Sequence, residues 1–489
     1  MALALALLVP AACSGADEAP TDGSQGADAT PYAEPSLPPP ATPSSEPTPG
    51  KRHPGPRPPD VPTVTADLAT VLTGVLRRRA DAVVTGDRGA FLDVLTADPG
   101  LREREGGYFD NLVQLPLATF DYELLPESLV RADRGYWAVV EVTMQLDGFD
   151  DLPVTTLDRY RLVPAGRGWR LASTTDPRWE RSNATARQPW DLEPVVVRRQ
   201  GSVLGVFDRG TLARAPELMD AVTSGLSDVA ARVPYDWSRS AVFYALSDPR
   251  FLDGFENLPG GDPDALDGVA FTVPAGPGDA TAAATRFVLS PALMSGPRRS
   301  PDVLGRLVRH ELAHLAIGGN DDVAPVWLVE GLAEWVSVQA LPVERRRVPD
   351  SVVREVRDGV REMPDEASFN DGQAQMHYAL AWWVCEWLAL TYGDDVPWAF
   401  LDAFASLSGG RGDDGGGGGG RAEEDRVVEQ VLGLSTDELA RRGAALLLET
   451  YDREPAPSEG PSGSPSPSGT PSDGGPSRGA DAPSPTPGG

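Results

Sequence analysis

The chain has 489 residues, 40% of them hydrophobic, with 52 Gly, 48 Pro and a formal charge of -29. That is enough apolar material for two modest cores but too much Gly and Pro for one compact globule, so part of the chain must be linker or tail. The acidic balance, with Lys51 the single lysine and no basic stripe, excludes a nucleic-acid partner, because phosphate contacts need a basic surface that releases counterions.

The N-terminus opens on an apolar run from Met1 to Val9, followed by Pro10-Ala11-Ala12-Cys13-Ser14-Gly15. Small residues before a cysteine and a polar stretch after it resemble a bacterial lipoprotein signal. The resemblance implies a signal segment at 1–13, lipid on Cys13, and export to the outer face of the bacterial cytoplasmic membrane. No later segment has the ~20 uninterrupted apolar residues of a membrane span. Residues 14–60 are dominated by Pro, Ser, Thr, Ala and Gly and read as a disordered linker; residues 454–489 read as a disordered tail, and Gly415 to Gly420 as a flexible insert. The second cysteine, Cys385, sits among apolar neighbours and reads as a small buried residue, so no disulfide is expected.

Residues 61–182 read as a small α+β unit. Leu68, Val71, Leu72, Val75 and Leu76 recur at helical spacing, and a second helix is expected around Ala90 to Leu95. Strand patterns follow at Thr119 to Leu124, Tyr136 to Leu146, Tyr160 to Val163 and Gly168 to Leu171. Helices first and then a curved antiparallel sheet ending in a Trp-bearing strand resemble an NTF2-like or SnoaL-like cone. No clustered His or carboxylate signature occurs in this unit, which reads as a structural or partner-binding module.

Residues 188–453 form the second unit. Strands are expected at Pro194 to Arg198 and Ser202 to Phe207, a helix around Ala215 to Val233, and strands at Ala241 to Leu246, Gly268 to Val273 and Thr285 to Leu289. Next comes His310-Glu311-Leu312-Ala313-His314, which uses two of the four histidines of the chain. On a helix, positions i and i+4 project from one face, so the two imidazoles converge on one metal with the carboxylate beside it. Ser300 is a suitable N-cap, Pro301 a first helical residue, Asp302 suits the positive helix end, and Gly318-Gly319 closes the helix. Val303, Leu307 and Ile317 share the histidine side, so the pair faces an apolar groove.

A catalytic zinc takes three protein ligands and keeps a position for water, so a third ligand must come from elsewhere. The strongest candidate segment is Trp327-Leu328-Val329-Glu330-Gly331-Leu332-Ala333-Glu334-Trp335, a helix starting after Pro325. His-Glu-Leu-Ala-His followed by this Trp-Leu-x-Glu-Gly-Leu-Ala-Glu string resembles the gluzincin peptidases of the peptidase MA-like group, more distantly a class of zinc aminopeptidases. The resemblance implies a zincin-like unit of sheet, motif helix and helical C-terminal lobe. It implies Zn2+ held by His310, His314 and Glu330, with Glu311 as general base. Glu334, one turn on, takes the place of a carboxylate that supports a zinc-bound imidazole, here that of His310. Tyr378 takes the place of a tyrosine that donates to the oxyanion, with the adjacent His377 a competitor for that role or for the metal.

The expectation is therefore an exported zinc peptidase acting on a peptide or protein substrate, its oligomeric state open. The aminopeptidase segment that anchors a free amino terminus has no counterpart, so aminopeptidase activity is not favoured. The competing reading is a surface lipoprotein that binds a partner without turnover.

Overall fold

Leu72, Val75, Leu76 and Val83 line the buried side of α1 (Ala66–Thr85), the first element of the described chain, while Val71 of the expected stripe is half exposed. The structure, a computed structural model, describes residues 66–451 except 184, 186, 249–250, 253–266, 280, 297–298, 323 and 409–420. The expected signal segment with Cys13, the linker at 14–60, the Gly415 to Gly420 insert and the tail at 454–489 lie outside the described residues. No helix among the described residues is long and apolar enough to cross a membrane.

Two short helices follow, α2 (Arg88–Asp93) and α3 (Pro99–Leu112). The latter was not expected; it is started by Asp98, whose side chain accepts from the Leu101 N–H at 2.7 Å, with Pro99 at its first position. The strands β1 (Leu117–Leu124), β2 (Val130–Ala132), β3 (Gly135–Leu146), β4 (Val154–Ala165) and β5 (Gly168–Ser173) form a curled antiparallel half-barrel in the order β1-β3-β4-β5, with β2 on β3. Its alternating inward residues, among them Phe120, Tyr122, Val140, Val142, Tyr160 and Leu162, share one core with the buried side of α1, which lies against β1. Short helices α4 (Pro177–Ser182) and α5 (Pro189–Leu192) lead out of it.

A second sheet is built from β6 (Val196–Gln200), β7 (Val203–Phe207), then helix α6 (Ala215–Ala230), and β8 (Ala241–Ala245), β9 (Gly268–Pro274) and β10 (Ala282–Leu289). Its order is β6-β7-β8-β10-β9, with β7, β8 and β10 parallel and the two outer strands antiparallel to their neighbours. Every residue of β7 and β8 is buried, as expected for strands covered on both faces. Alternate side chains go to different cores. Val203, Phe207, Phe243, Phe287 and Leu289 join the helices that follow, whereas Leu204, Val206, Val242, Tyr244, Phe271 and Val288 join the core of the first sheet. Among the described residues there are two hydrophobic cores, and the divide between them runs through the second sheet and not along the chain near residue 185.

The seam also carries polar fastening. Arg286 of β10 reaches Asp150 at 3.0 Å, the Tyr244 hydroxyl at 2.7 Å and Gln188 Oε1 at 3.0 Å, all buried. The N–H groups of Asp151 and Leu152 donate to the Ala283 carbonyl, and Thr155 N–H donates to the Ala275 carbonyl. A buried guanidinium whose Nη donors have these partners is tolerable in a core; deprived of them it would be strongly destabilising.

The remainder is helical: α7 (Pro291–Ser295), α8 (Pro301–Ile317), α9 (Val326–Gln339), α10 (Asp350–Gly359), α11 (Ala374–Tyr392), α12 (Val396–Ser408), α13 (Arg421–Leu432) and α14 (Thr436–Tyr451). The motif helix α8 lies between α6 and α9, and α9 lies against α11. Gly331 marks where α9 and α11 cross: a Cβ there would stand 2.6 Å from the Ala381 carbonyl oxygen, so only glycine permits the approach.

Candidate metal centre

The motif lies on α8 as its punctuation requires. Ser300 Oγ accepts from Val303 N–H at 3.4 Å, Pro301 opens the helix, and Gly318 ends it with φ 59°. His310 and His314 are therefore one turn apart on the side facing α9, and both are buried. The same spacing on α9 puts Glu330 and Glu334 one turn apart, facing back.

Three donor atoms meet between the helices. His310 Nε2 lies 3.1 Å from His314 Nε2 and 3.2 Å from Glu330 Oε2, and His314 Nε2 lies 3.5 Å from the same oxygen. Among the described residues, these three form the one group of metal-ligating side chains close enough to share an ion. Their fit to zinc can be tested by size. Ligands about 2.0–2.1 Å from a tetrahedral ion are about 3.3 Å apart, which is the scale of all three edges. Chemistry agrees, because two imidazole nitrogens and a carboxylate oxygen crowded together in a buried site suit a shared cation better than one shared proton. Both Glu330 oxygens lack a fully formed hydrogen bond despite complete burial. Burial would raise the Glu330 pKa, yet the two imidazoles beside it hold it below the ordinary carboxylate value.

Glu311 stands next to this triangle against β9, the last strand of the second sheet. A Cβ on Gly268 would lie 2.7 Å from Glu311 Oε1, so the absence of a side chain at Gly268 makes room for the carboxylate. The Ala270 N–H faces the carboxylate, although neither oxygen completes a hydrogen bond of normal geometry. Burial pushes Glu311 up to about 7, against the pull of the two histidines.

Glu334 reaches the far side of His310, with Oε1 3.4 Å from Nδ1. Its other oxygen accepts from Arg306 Nη2 at 2.5 Å and Nε at 3.1 Å. Burial acts to raise the Glu334 pKa, but Arg306 and His310 overcome it and bring the carboxyl down to about 2.

Tyr378 is also near, its ring 6.5 Å from that of His310 between centroids. Its hydroxyl donates to Asn370 Oδ1 at 3.2 Å, and Phe369 packs edge-on against it at 4.8 Å. His377 turns elsewhere: Nδ1 lies 3.0 Å from the Phe369 carbonyl oxygen, clipping the loop before α11, and it is not in the metal group. The structure thus brings His310, Glu311, His314, Glu330, Glu334 and Tyr378 into one cluster and leaves His377 out of the ligand set.

Sequence reasoning missed Arg306, Gly268 and Asn370. Arg306 was within reach, since it precedes His310 by four residues just as Glu334 follows Glu330 by four. The other two depend on contacts across the fold. It also missed the pocket between the first sheet and β10, where the charged side chains Asp150, Asp158, Asp191, Arg187 and Arg286 are among the lining residues. No protein family matches the chain, and no curated protein matches it.

Proposed function

We propose that the chain is a zinc-dependent peptidase of the gluzincin kind, an NTF2-like cone followed by a zincin-like unit, exported and anchored through lipid on Cys13. The observation that carries this reading is the triangle of His310, His314 and Glu330 with Glu311 beside it on the edge strand. A structural zinc site is normally closed by four protein ligands, whereas three leave a position open.

Zinc, when bound, supplies a Lewis acid that polarises a carbonyl and makes water acidic near neutral pH. Glu311 removes a proton from the attacking water and returns it to the leaving amine, which needs one carboxylate able to hold and release a proton. Its apolar burial favours the protonated intermediate state of that cycle, while the Ala270 N–H and the imidazoles favour the charged one. Tyr378 turns its hydroxyl from Asn370 to the oxygen that gains negative charge, an interaction stronger in the transition state than in the ground state. Glu334 keeps the His310 ring oriented. The substrate is a peptide or protein.

One observation favours a second reading, a metal-holding lipoprotein that binds a partner without turnover: His310, Glu311 and Glu330 have no exposed surface. Cleavage of casein or quenched peptides by the zinc-loaded protein and by Glu311→Gln separates the two. Turnover lost in Glu311→Gln with zinc retained supports the peptidase; zinc bound with no cleavage dependent on Glu311 supports the binding protein.

A further inference from the structure

We infer that Arg306 is a positioning residue of the metal centre: by fixing one oxygen of Glu334 it aims the other at His310, so that the His310 ring presents Nε2 to a divalent cation. This rests on the reading of His310, His314 and Glu330 as metal ligands.

Arg306, His310 and His314 follow one another at four-residue intervals along α8, opposite Glu330 and Glu334 on α9. The two helices therefore face each other through two rungs, Arg306–Glu334 and the metal triangle, with His310 touching both. The Glu334 side chain is 1% exposed and that of Arg306 23%, so the arginine brings charge in from the rim to a carboxylate with almost no access to water.

The division of the carboxylate is what matters. Arg306 spends both Nε and Nη2 on Oε2, which Ser337 Oγ also approaches at 3.5 Å, and Oε1 is left 3.4 Å from His310 Nδ1, neither of these two atoms completing a hydrogen bond elsewhere. A neutral imidazole has one N–H; when that proton is on Nδ1, facing Oε1, Nε2 carries the lone pair a metal needs. Were Glu334 free to rotate, the proton could move to Nε2, where the His314 nitrogen 3.1 Å away would accept it and the metal face would be lost.

Arg306 is itself held from two more directions. Nη1 donates to the Arg347 carbonyl at 3.2 Å, and the guanidinium carbon lies 4.9 Å from the centre of the Trp382 ring on α11. A planar fork uses all three contacts at once; a lysine ammonium would keep the charge and lose the geometry.

The test is Zn2+ affinity, measured by competition with a chromogenic chelator, for wild type, Arg306→Met, Arg306→Lys, Glu334→Gln and the Arg306→Met/Glu334→Gln pair. The His310 tautomer in the metal-free proteins is read in parallel from ring 15N shifts. Wild type should bind one Zn2+ and hold its His310 proton on Nδ1. Arg306→Met and Glu334→Gln should each weaken binding about 10- to 100-fold, the range for groups that orient a metal ligand, and redistribute the proton. Because Arg306 acts through Glu334, the double variant should bind no more weakly than Glu334→Gln alone. Should Arg306→Met fold too poorly to titrate, Arg306→Lys and the double variant carry the same comparison. Zn2+ binding unchanged in the arginine variants, even with a lowered melting temperature, overturns the inference, as do losses that multiply in the double variant. Wild type that binds no Zn2+ overturns the underlying metal reading instead.

Discussion

Gly268→Ala tests how Glu311 is held. The added Cβ would stand 2.7 Å from Oε1, 3.1 Å from Cδ and 3.3 Å from Cγ of Glu311. The shortest of these is about 0.7 Å inside ordinary van der Waals contact, and a buried carboxylate between α8 and β9 has little room to retreat. Either the carboxylate or the strand moves, and overpacking of this kind costs about 1–3 kcal/mol of stability. Displacement of a reacting group by about 1 Å can lower turnover about 100-fold, so a shift of this size should lower kcat about 10- to 100-fold. Zinc stoichiometry should stay at the wild-type value, because the three atoms nearest the added Cβ all belong to Glu311 and not to a ligand. Steady-state cleavage of a quenched peptide with metal content measured on the same sample is the assay. Full kcat together with full zinc would falsify the idea that β9 sets the position of the base.

Tyr378→Phe removes one donor from the site and should lower kcat by the equivalent of about 2–4 kcal/mol with little change in KM, measured on the same peptide; an unchanged kcat leaves Tyr378 a structural role beside Phe369 and Asn370. The pH dependence of stability of the metal-free protein should carry two opposite contributions. Glu334, brought from 4.5 down to about 2 by Arg306 against burial, stabilises the fold above its unfolded pKa, and that stability is lost as pH falls through about 2. Asp191, raised from 3.8 to about 6 by burial against the pull of Arg187, contributes stability that is complete below 3.8 and lost as pH rises through about 6. Urea unfolding of wild type, Glu334→Gln and Asp191→Asn from pH 2 to 7 reads both; a profile that neither substitution alters contradicts the assignments.

The parts of the fold that the sequence made legible are those written locally. The caps of α8 and the restart of the chain after Pro325 are both carried by neighbours within a turn or two. The chemistry on α8 and α9 was legible for the same reason, since i and i+4 spacing fixes which side chains share a face. Helix α3 was missed because Gly106-Gly107 and the run Arg102-Glu103-Arg104-Glu105 blur its apolar period, although Asp98-Pro99 marked its start. The buried charges were hidden more deeply. Arg79 is completely buried in α1, paired with Glu105 and lying over the Phe91 ring at 3.8 Å, and Arg286 is buried in a strand whose other buried residues are apolar. Nothing within a few residues of either reports a partner; Asp150 is 136 positions from Arg286. The sharing of the second sheet between two cores was equally invisible, because alternation in a fully buried strand looks the same whichever layer covers each face.

Zinc K-edge absorption of the protein loaded with one equivalent of Zn2+, alongside Glu330→Gln, bears most directly on the metal centre. Wild type should show two imidazole nitrogens and oxygen donors at about 2.0–2.2 Å, and the variant an altered shell with weakened binding. A wild-type protein that takes up no zinc, or a variant whose shell and affinity match wild type, would contradict this reading of the metal centre.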